Sequence, residues 1–322
     1  MNLLVFEYAT ATGIQDPSIL IEGKSMLKAL LQDLWEFKPS YLISEKFHHL
    51  IDYPNPIILK EDLYSWIREN ASEFDATLFI APEENMELYK LTCLLESEGV
   101  QVMGSTSEAV LTCSDKLRTY NALQGRVPLI ETYELDNVNF EGKMVVKPVD
   151  RVACQGIKII ESSEDLEKII TSSDSRMILQ RFVEGEAASV SILSNGKVAL
   201  PLSLNKQNIK YNNGILEYNG GITPFEHEMA DDALLVAKRA VESIDGLRGY
   251  VGVDLILSDK IYVVELNSRI TTPYIALRKL IDINLGEAII AAVNGKIPKE
   301  WNIGGVAEFK KGKHSMRISN IG

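Results

Sequence analysis

The 322-residue sequence contains little cysteine and little histidine. Its three cysteines, Cys93, Cys113 and Cys154, form no CxxC pair, and their odd number does not suit a disulfide framework. The four histidines show neither an HExxH motif nor another paired spacing of zinc ligands. These shortages argue against a disulfide scaffold and against a zinc centre, and they indicate a protein of the reducing cytoplasm.

Long apolar runs and an excess of basic residues are also lacking. No run approaches the roughly 20 apolar residues that cross a bilayer, and the N-terminus lacks the basic region and the apolar length of a signal peptide. Thirty-three Lys and Arg residues against forty-five Asp and Glu residues give a net charge of −12. Because a nucleic-acid binder needs a basic face to neutralise phosphates, we expect a cytoplasmic protein with no nucleic-acid partner and no membrane partner.

The overall composition is that of a globular protein. Hydrophobic residues make up 46% of the chain and charged residues 24%, which provides enough apolar surface for a sizeable core. At about 150 residues per domain, the length predicts two domains.

The first third of the chain alternates short apolar runs with segments of helical spacing. Runs such as Leu3–Phe6 and 78–81 are typical of buried parallel strands, and Lys24–Phe37 has helical spacing with Gly23 at its start. Alternation of this kind builds a parallel sheet covered by helices. The sequence therefore predicts an α/β protein whose residues 1–104 form a doubly wound parallel-sheet domain.

Hairpin patterns follow further along the chain. Paired apolar runs around turn residues, including Asn195-Gly196, predict an α+β region over residues 105–300. We divide this region into subdomains at 105–176 and 177–300.

Two later segments have no regular pattern. Lys206–Glu226 is polar and includes the turn-forming residues Asn212-Asn213-Gly214, so a long loop is predicted there. Residues 301–322 show no clear periodicity and are predicted to form a C-terminal tail.

A predicted hairpin over residues 250–267 carries the side chains best suited to a metal ion. Pairing of its strands brings Asp254 close to Glu265 and Asn267. Along the second strand, Glu265, Asn267 and Arg269 share one face. Two carboxylates and an amide oxygen suit Mg²⁺, and Arg269 would hold a phosphate bridged by the metal. The alternative is a solvent-facing hairpin with paired charges.

Two lysines are candidates for a phosphate site. Lys147 ends an apolar strand, where its ammonium group is well placed to bind phosphate. Lys116 stands at the start of a predicted helix, which disfavours a cation unless a bound anion offsets the helix dipole. For both lysines, a solvated surface position is the alternative.

A strand over residues 177–183 leads into an acidic turn. Backbone groups at its end, Gln180–Val183, can pair with an adenine edge, and the Glu186 carboxylate can accept hydrogen bonds from ribose hydroxyls. A strand, turn and strand that bind nothing would show the same pattern.

Taken together and in this order, these segments resemble the ATP-grasp superfamily over Ser105–Asn294, and the α/β unit before them matches the family's usual N-terminal domain. The resemblance implies two α+β subdomains that clamp ATP, with Asp150–Gly156 covering the nucleotide. It also implies these contacts: Lys116 and Lys147 with the ATP phosphates, Gln180, Arg181, Phe182 and Val183 with adenine, Glu186 with ribose, Asp254, Glu265 and Asn267 with Mg²⁺ or Mn²⁺, and Arg269 with the transferred phosphoryl group. Arg269 and Lys147 are then the catalytic residues.

Four further segments resemble a narrower group, the ATP-grasp carboxylate–amine ligases that join glutamate to tyramine in methanofuran-type cofactor synthesis. They are Phe6–Gly13, Glu22–Leu27, Tyr218–Pro224 and Arg269–Tyr274. This resemblance implies an ADP-forming ligase that makes an amide through an acyl phosphate, from a small carboxylic acid and an amine. The alternatives are an ATP-grasp carboxylase or carbamoyl-phosphate-like enzyme, and a non-catalytic ATP-binding regulatory protein.

The substrates are expected between Lys206–Glu226 and Gly13–Glu22. Lys206, Lys210 and Arg278 are candidates to pair with a substrate carboxylate, with a solvated surface cation as the alternative for each. The oligomeric state is left open, with a homodimer as one option.

Overall fold

The structure, a computed structural model, describes residues 1–135, 140, 142–151, 155–172, 176–212 and 215–321. Its strands are β1 (Leu3–Glu7), β2 (Ser40–Ser44), β3 (Pro56–Leu59), β4 (Ala76–Ile80), β5 (Gln101–Val102), β6 (Thr132–Glu134), β7 (Met144–Pro148), β8 (Lys158–Ile160), β9 (Met177–Arg181), β10 (Glu186–Asn195), β11 (Ala199–Asn212), β12 (Ile215–Thr223), β13 (Arg248–Leu257), β14 (Ile261–Asn267), β15 (Ala307–Lys311) and β16 (Met316–Asn320). Its α-helices are α1 (Tyr8–Thr12), α2 (Pro17–Asp33), α3 (Leu63–Asn70), α4 (Glu87–Ser97), α5 (Ser107–Cys113), α6 (Lys116–Leu123), α7 (Ser163–Ser172), α8 (Ala230–Glu242), α9 (Tyr274–Leu277) and α10 (Leu285–Val293).

Five parallel strands form the sheet of the N-terminal domain, in the order β3-β2-β1-β4-β5. Strands β1 and β4 are buried along their whole length, as expected for strands covered by helices on both faces. Leu27 and Leu30 of α2 are fully buried in the same core as Leu3 and Val5 of β1. The predicted α/β class with an N-terminal parallel sheet is confirmed.

Two antiparallel sheets make up the rest of the fold. One has four strands in the order β6-β9-β7-β8, and the other has seven in the order β14-β13-β10-β11-β12-β15-β16. The predicted hairpin is present as β13–β14, whose register places Asp254 opposite Glu265 and Gly252 opposite Asn267. This register fixes the side chains of the candidate site to one surface of the large sheet.

The prediction of a loop over Lys206–Glu226 is wrong. Strand β11 continues to Asn212 and pairs with β12, and residues 213–214 lie outside the described residues. Gly220, which resembles a loop residue in the sequence, has a φ of +102°, and a Cβ there would lie 1.9 Å from the carbonyl oxygen of Phe309. Glycine therefore permits β12 and β15 to approach closely. The strand was not predicted because its residues are mostly polar and give no alternating apolar pattern.

The prediction of a loose C-terminal tail over residues 301–322 is also wrong. Strands β15 and β16 extend the seven-stranded sheet, and Ala307 and Phe309 are completely buried. On β15, only Ala307 and Phe309 point into the core. Two alternating apolar residues are too few to predict a strand from the sequence.

Helix α2 begins earlier than predicted. It starts at Pro17 with Asp16 as its N-cap, so Gly23 lies inside the helix instead of at its start. A Cβ on Gly23 would lie 2.3 Å from Glu7 Oε2. The missing side chain lets α2 pack against the carboxylate that caps α1.

A single apolar core joins the N-terminal domain to the large sheet. Leu30 of α2, Leu285 of α10 and Phe309 of β15 are fully buried members of this core. Within the described part of the chain, no helix combines the length and the apolar character needed to cross a membrane.

Candidate active site

The side chains predicted to bind metal lie together on the hairpin β13–β14. Asp254 and Glu265 face each other across the two strands, and their carboxyl groups hydrogen-bond. Asn267 Nδ2 lies 3.3 Å from Asp254 Oδ2, and Gln207 Nε2 donates to Asp254 Oδ1 at 2.9 Å. The structure thus brings together the three predicted ligands and adds Gln207, a residue that the sequence pattern placed in a loop.

The pKa values of the two carboxyl groups shift in opposite directions. Burial, reinforced by the charge of Glu265, raises the pKa of Asp254 well above its usual value. Burial also acts to raise the pKa of Glu265, but the charges of Lys116 and Lys147 bring it below its usual value. When the pair holds one proton, Asp254 is therefore the favoured site for it, and a bound cation would favour its release.

This donor set fits a magnesium ion that takes its remaining ligands from outside the chain. Mg²⁺ prefers oxygen donors and is commonly held by one or two carboxylates together with water and substrate phosphates. Among the residues that the structure describes, no three His, Cys, Asp or Glu side chains gather into one group. A magnesium ion bound here would take Asp254, Glu265 and the Asn267 amide as its ligands from the protein, and Mn²⁺ would also suit this set.

Both predicted phosphate-binding lysines face this cluster. Lys116 Nζ lies 3.1 Å from Glu265 Oε2 and donates to the carbonyl oxygen of Arg151 at 2.7 Å. Lys116 is the first residue of α6, whose N-cap is Asp115, so the Glu265 carboxylate offsets its unfavourable position. Lys147 is 3% exposed on β7, and its charge lowers the pKa of Glu265. Neither lysine is the solvated surface residue that was the alternative.

The segment predicted to face adenine lies at the end of β9. The Gln180 amide is buried and donates to Thr132 Oγ1 at 2.7 Å. The Phe182 backbone N–H donates to the carbonyl oxygen of Lys143 at 3.1 Å, and the Lys143 ammonium lies 4.3 Å from the centroid of the Phe182 ring. The Gln180 side chain therefore links β9 to β6 within the four-stranded sheet. Contact of this segment with a nucleotide stays a prediction.

The neighbouring candidates differ in their accessibility. Arg181 is exposed and Val183 is half-buried. The Glu186 side chain is 49% exposed and accepts a hydrogen bond from Lys206 Nζ at 2.8 Å. That hydrogen bond lowers the pKa of Glu186, so an ionised acceptor is available for the predicted ribose contact. Lys206, in turn, is committed to Glu186 in this structure.

Arg269 contacts a residue of the N-terminal domain that sequence reasoning missed as its partner. Arg269 Nε lies 2.9 and 3.0 Å from the two carboxylate oxygens of Glu83, and Nη2 donates to Oε2 at 2.8 Å. Burial opposes the guanidinium charge, but Glu83 raises the pKa of Arg269 above its usual value. An acidic residue directly after a proline, as in Pro82-Glu83, is typical of a helix start, but α4 begins later, at Glu87, after the left-handed residue Met86.

The next residue, Glu84, forms a second contact of the N-terminal domain, with the segment predicted to cover the nucleotide. Its Oε1 lies 2.6 Å from Arg151 Nη1, and the carbonyl of Arg151 accepts the hydrogen bond from Lys116. Two successive glutamates therefore join the N-terminal domain to the end of β14 and to the start of the predicted covering segment. The centre of that segment, residues 152–154, lies outside the described residues.

Arg278 is occupied in the core. Its Nε lies 2.9 Å from both oxygens of Asp33, which also accepts a hydrogen bond from Tyr274. This half-buried pair ties the end of α2 to α9, so the structure does not support Arg278 as a substrate-binding cation.

Comparison with protein families agrees with this architecture. The ATP-grasp domain matches residues 113–273, and the pre ATP-grasp 3 domain matches residues 57–110. The chain belongs to the ATP-grasp family.

Known relatives narrow the class further. A tyramine–L-glutamate ligase of Methanocaldococcus fervens is 34% identical over 302 residues, which cover 91% of this chain and 94% of the relative. A D-alanine–D-alanine ligase of Pseudothermotoga lettingae is 29% identical over 189 residues, 54% of this chain and 64% of the relative. The solved structure of an ATP-grasp superfamily protein from Archaeoglobus fulgidus matches with a TM-score of 0.80 and 28% identity over 100% of both chains. The protein is thus an ADP-forming ATP-grasp ligase that resembles the tyramine–glutamate ligases.

Proposed function

We propose that the protein joins a carboxylic acid to an amine through an acyl phosphate formed from ATP. The observation that most supports this proposal is the cluster in which Lys116 contacts Glu265 beside Asp254 and Asn267. Cations for a polyphosphate and oxygen donors for a divalent metal are combined there, and Arg269 follows the end of β14 by two residues.

The proposed chemistry has two steps. A carboxylate oxygen of the acid attacks the γ-phosphorus of ATP, the bond to the β–γ bridging oxygen breaks, and ADP leaves. The amine nitrogen then attacks the acyl carbon, inorganic phosphate departs with the electron pair of the C–O bond, and the nitrogen loses a proton. Phosphoryl transfer depends mainly on positioning and charge stabilisation, so the site needs cations more than a covalent nucleophile.

The side chains have distinct proposed roles in this reaction. Lys116 and Lys147 offset the negative charge of the ATP phosphates, and Arg269 offsets the charge that develops on the transferred phosphoryl group. The nucleoside is proposed to lie at Gln180, Arg181, Phe182, Val183 and Glu186. The metal ligands are proposed to be Asp254, Glu265 and Asn267. When bound there, Mg²⁺ would neutralise charge on the phosphate oxygens.

Glutamate and tyramine are the proposed substrate pair. The similarity to a tyramine–L-glutamate ligase extends over 91% of this chain, which supports the same acid and amine. A role in methanofuran-type cofactor synthesis, implied by the resemblance of segments such as Phe6–Gly13 and Tyr218–Pro224, is proposed with this pair. A cytoplasmic location and a homodimer remain predictions.

A screen for ADP formation tests the proposal. Purified protein with ATP and Mg²⁺ is supplied with pairs of acids and amines, beginning with L-glutamate and tyramine. We expect ADP and amide in equal amounts for that pair. Turnover confined to bicarbonate would favour the carboxylase alternative, and nucleotide binding with no turnover on any pair would favour the regulatory alternative.

A variant ties the activity to the cluster. Glu265→Gln is expected to lower turnover by more than about a hundredfold, because loss of a charge-stabilising group costs about 3 kcal/mol in the transition state. Asp259→Ala, at the exposed turn of the same hairpin, is the matched control and should retain wild-type turnover. ADP release at the wild-type rate by Glu265→Gln would contradict the proposed site.

A further inference from the structure

An ion pair joins helix α2 to the C-terminal hairpin β15–β16. Lys311 Nζ lies 2.5 Å from Glu22 Oε1, and the two side chains are 22% and 17% exposed. Lys311 also donates to Ser18 Oγ at 2.8 Å. The contact exists because the hairpin is part of the large sheet and lies against α2.

The pair has hydrogen-bonding capacity left over. Glu22 Oε2 accepts from Thr272 Oγ1 at 3.2 Å, and the buried Oε1 lies against the Lys311 ammonium. A lysine ammonium has three donors, and Ser18 takes one of them. With Glu22 and Ser18 as its two partners, the Lys311 ammonium keeps one donor for an incoming anion, and the Glu22 oxygens keep lone pairs for a donor from the same ligand.

The pair also lies near the candidate metal cluster. Tyr218 on β12 hydrogen-bonds to the side chain of Thr272, and burial together with the charges of Glu22 and Asp254 raises the pKa of Tyr218 well above its usual value. Thr271, the neighbour of Thr272, packs over Gly252, which lies opposite Asn267 in the hairpin β13–β14. Thr272 follows Arg269 by three residues, so one short segment connects the ion pair to the end of β14.

We propose that Glu22 and Lys311 bind the α-ammonium and α-carboxylate groups of an amino acid substrate, whose side-chain carboxylate extends toward Asp254. This inference rests on the proposed ligase function and names the residues that would recognise its amino acid substrate. An α-amino acid carries opposite charges on neighbouring groups, so one molecule can insert into an existing ion pair and leave both side chains partnered.

Other small ligands cannot satisfy both side chains. An amine without a carboxylate leaves Lys311 without an anion, and a dicarboxylate without an amine leaves Glu22 without a cation. A partly buried charge that loses its partner is unfavourable, so the pair selects for a molecule with both groups.

Steady-state kinetics with L-glutamate as the varied acid test the proposal. Glu22→Gln and Lys311→Met are each expected to raise the KM for L-glutamate by about tenfold or more, since a hydrogen bond to a charged group contributes about 1.5–3 kcal/mol. The KM values for ATP and tyramine should stay close to those of the wild type. Glu217→Gln and Lys310→Met, exposed neighbours on β12 and β15, are matched controls.

Two substrate analogues separate recognition from a structural role. 4-Aminobutyrate lacks the α-carboxylate, and glutarate lacks the α-amine. Wild-type protein should discriminate against both, Lys311→Met should lose discrimination against 4-aminobutyrate, and Glu22→Gln should lose discrimination against glutarate. An equal loss of turnover on all three acids in both variants would overturn the proposal.

A charge exchange keeps the test decisive if a single variant folds poorly. Glu22→Lys combined with Lys311→Glu restores an ion pair with inverted polarity. The proposal expects recovered thermal stability with a KM for L-glutamate that stays raised, and a KM restored to the wild-type value would overturn it.

Calorimetric titration of L-glutamate into the protein without ATP distinguishes this inference from the ligase function. Glutamate binding that requires both residues, in a protein that forms no ADP with any acid and amine, would support the inference and contradict only the proposed function. Turnover of L-glutamate and tyramine with an unchanged KM in both single variants would overturn only the inference.

Discussion

Two charged clusters meet near the end of β14 and differ in how their charge is balanced. At the first, Asp254 and Glu265 place two carboxyl groups against each other, and burial with the charge of Glu265 raises the pKa of Asp254. At the second, Glu83 and Arg269 pair opposite charges through contacts of 2.8–3.0 Å. At the first cluster Lys116 offsets the charge of Glu265 but leaves Asp254 without a cation of its own, whereas the second cluster is a complete ion pair.

This difference suits the two clusters to different proposed roles: the Asp254 and Glu265 carboxyl groups would bind the metal, and Glu83 would position the Arg269 guanidinium. The Glu83 carboxylate holds one edge of the Arg269 guanidinium before any substrate arrives, and Nη1 donates to the carbonyl oxygen of Ile270 at 3.2 Å. The carboxyl groups of Asp254 and Glu265 instead repel each other when both are ionised. Substitutions should therefore have opposite effects on stability at the two clusters, although both should lower activity.

The largest expected effect is on turnover in Arg269→Lys. Lysine keeps the positive charge but cannot form the two-pronged contact with Glu83 while reaching a phosphoryl group, so kcat should fall by about a hundredfold or more. We choose lysine because alanine would leave Glu83 buried without a cation. ADP release under saturating ATP and Mg²⁺ measures the effect, with the exposed Arg239→Lys on α8 as control. A near wild-type rate would show that Arg269 is only a structural tie.

The next effect is a loss of stability in Glu83→Gln. Removing one partner of a buried ion pair costs about 3–5 kcal/mol, because the remaining charge is left unpaired. The Glu83 and Arg269 side chains are 7% and 15% exposed, so the midpoint of urea unfolding should fall markedly. Combining Glu83→Gln with Arg269→Met should recover part of the loss. An unchanged midpoint in the single variant would mean that the pair is not desolvated in solution.

At the carboxylate cluster, Asp254→Asn should stabilise the metal-free protein while it abolishes activity. The raised pKa of Asp254 in the folded state means that its contribution to stability is present at pH below the unfolded value of 3.8 and is lost as pH rises through the folded value. Asparagine removes this loss, so the gain should be about 1 kcal/mol at neutral pH.

Urea unfolding of wild type and Asp254→Asn from pH 4 to 8 without metal measures that gain. The two stability curves should diverge as pH rises, and Mg²⁺ should stabilise the wild type more than the variant. Parallel curves, or a variant less stable than the wild type at neutral pH, would show that the two carboxyl groups do not crowd each other.

Much of the carboxylate cluster could be predicted from the sequence because it depends on local pairing. Asp254, Glu265 and Asn267 lie on two strands joined by a short turn, so alternation along each strand fixes which side chains share a face. The same local reasoning placed the parallel strands of the N-terminal domain, whose apolar runs are short and continuous.

The second cluster could not be predicted, because its partners are 186 residues apart in the chain. Glu83 follows a buried strand and resembles an ordinary helix-starting acid, and no periodic pattern connects it to Arg269. Strand β12 and the C-terminal hairpin were missed for a related reason. Their polar residues and Gly220 are typical of a loop. Only the structure shows that β12 pairs with β15 and that Gly220 lies against Phe309.

The smallest expected effect concerns the ion pair between Glu84 and Arg151, which is more exposed than either of the two clusters compared above. The Arg151 and Glu84 side chains are 39% and 23% exposed, and ion pairs with this exposure contribute about 0–1 kcal/mol. Arg151→Met should therefore leave the urea midpoint nearly unchanged. It should raise the KM for ATP by about twofold to threefold, because the Arg151 carbonyl that accepts from Lys116 loses its anchor to the N-terminal domain. Glu84→Gln should have the same effect, and the double variant should be no worse than either single one if the two residues act through this contact alone.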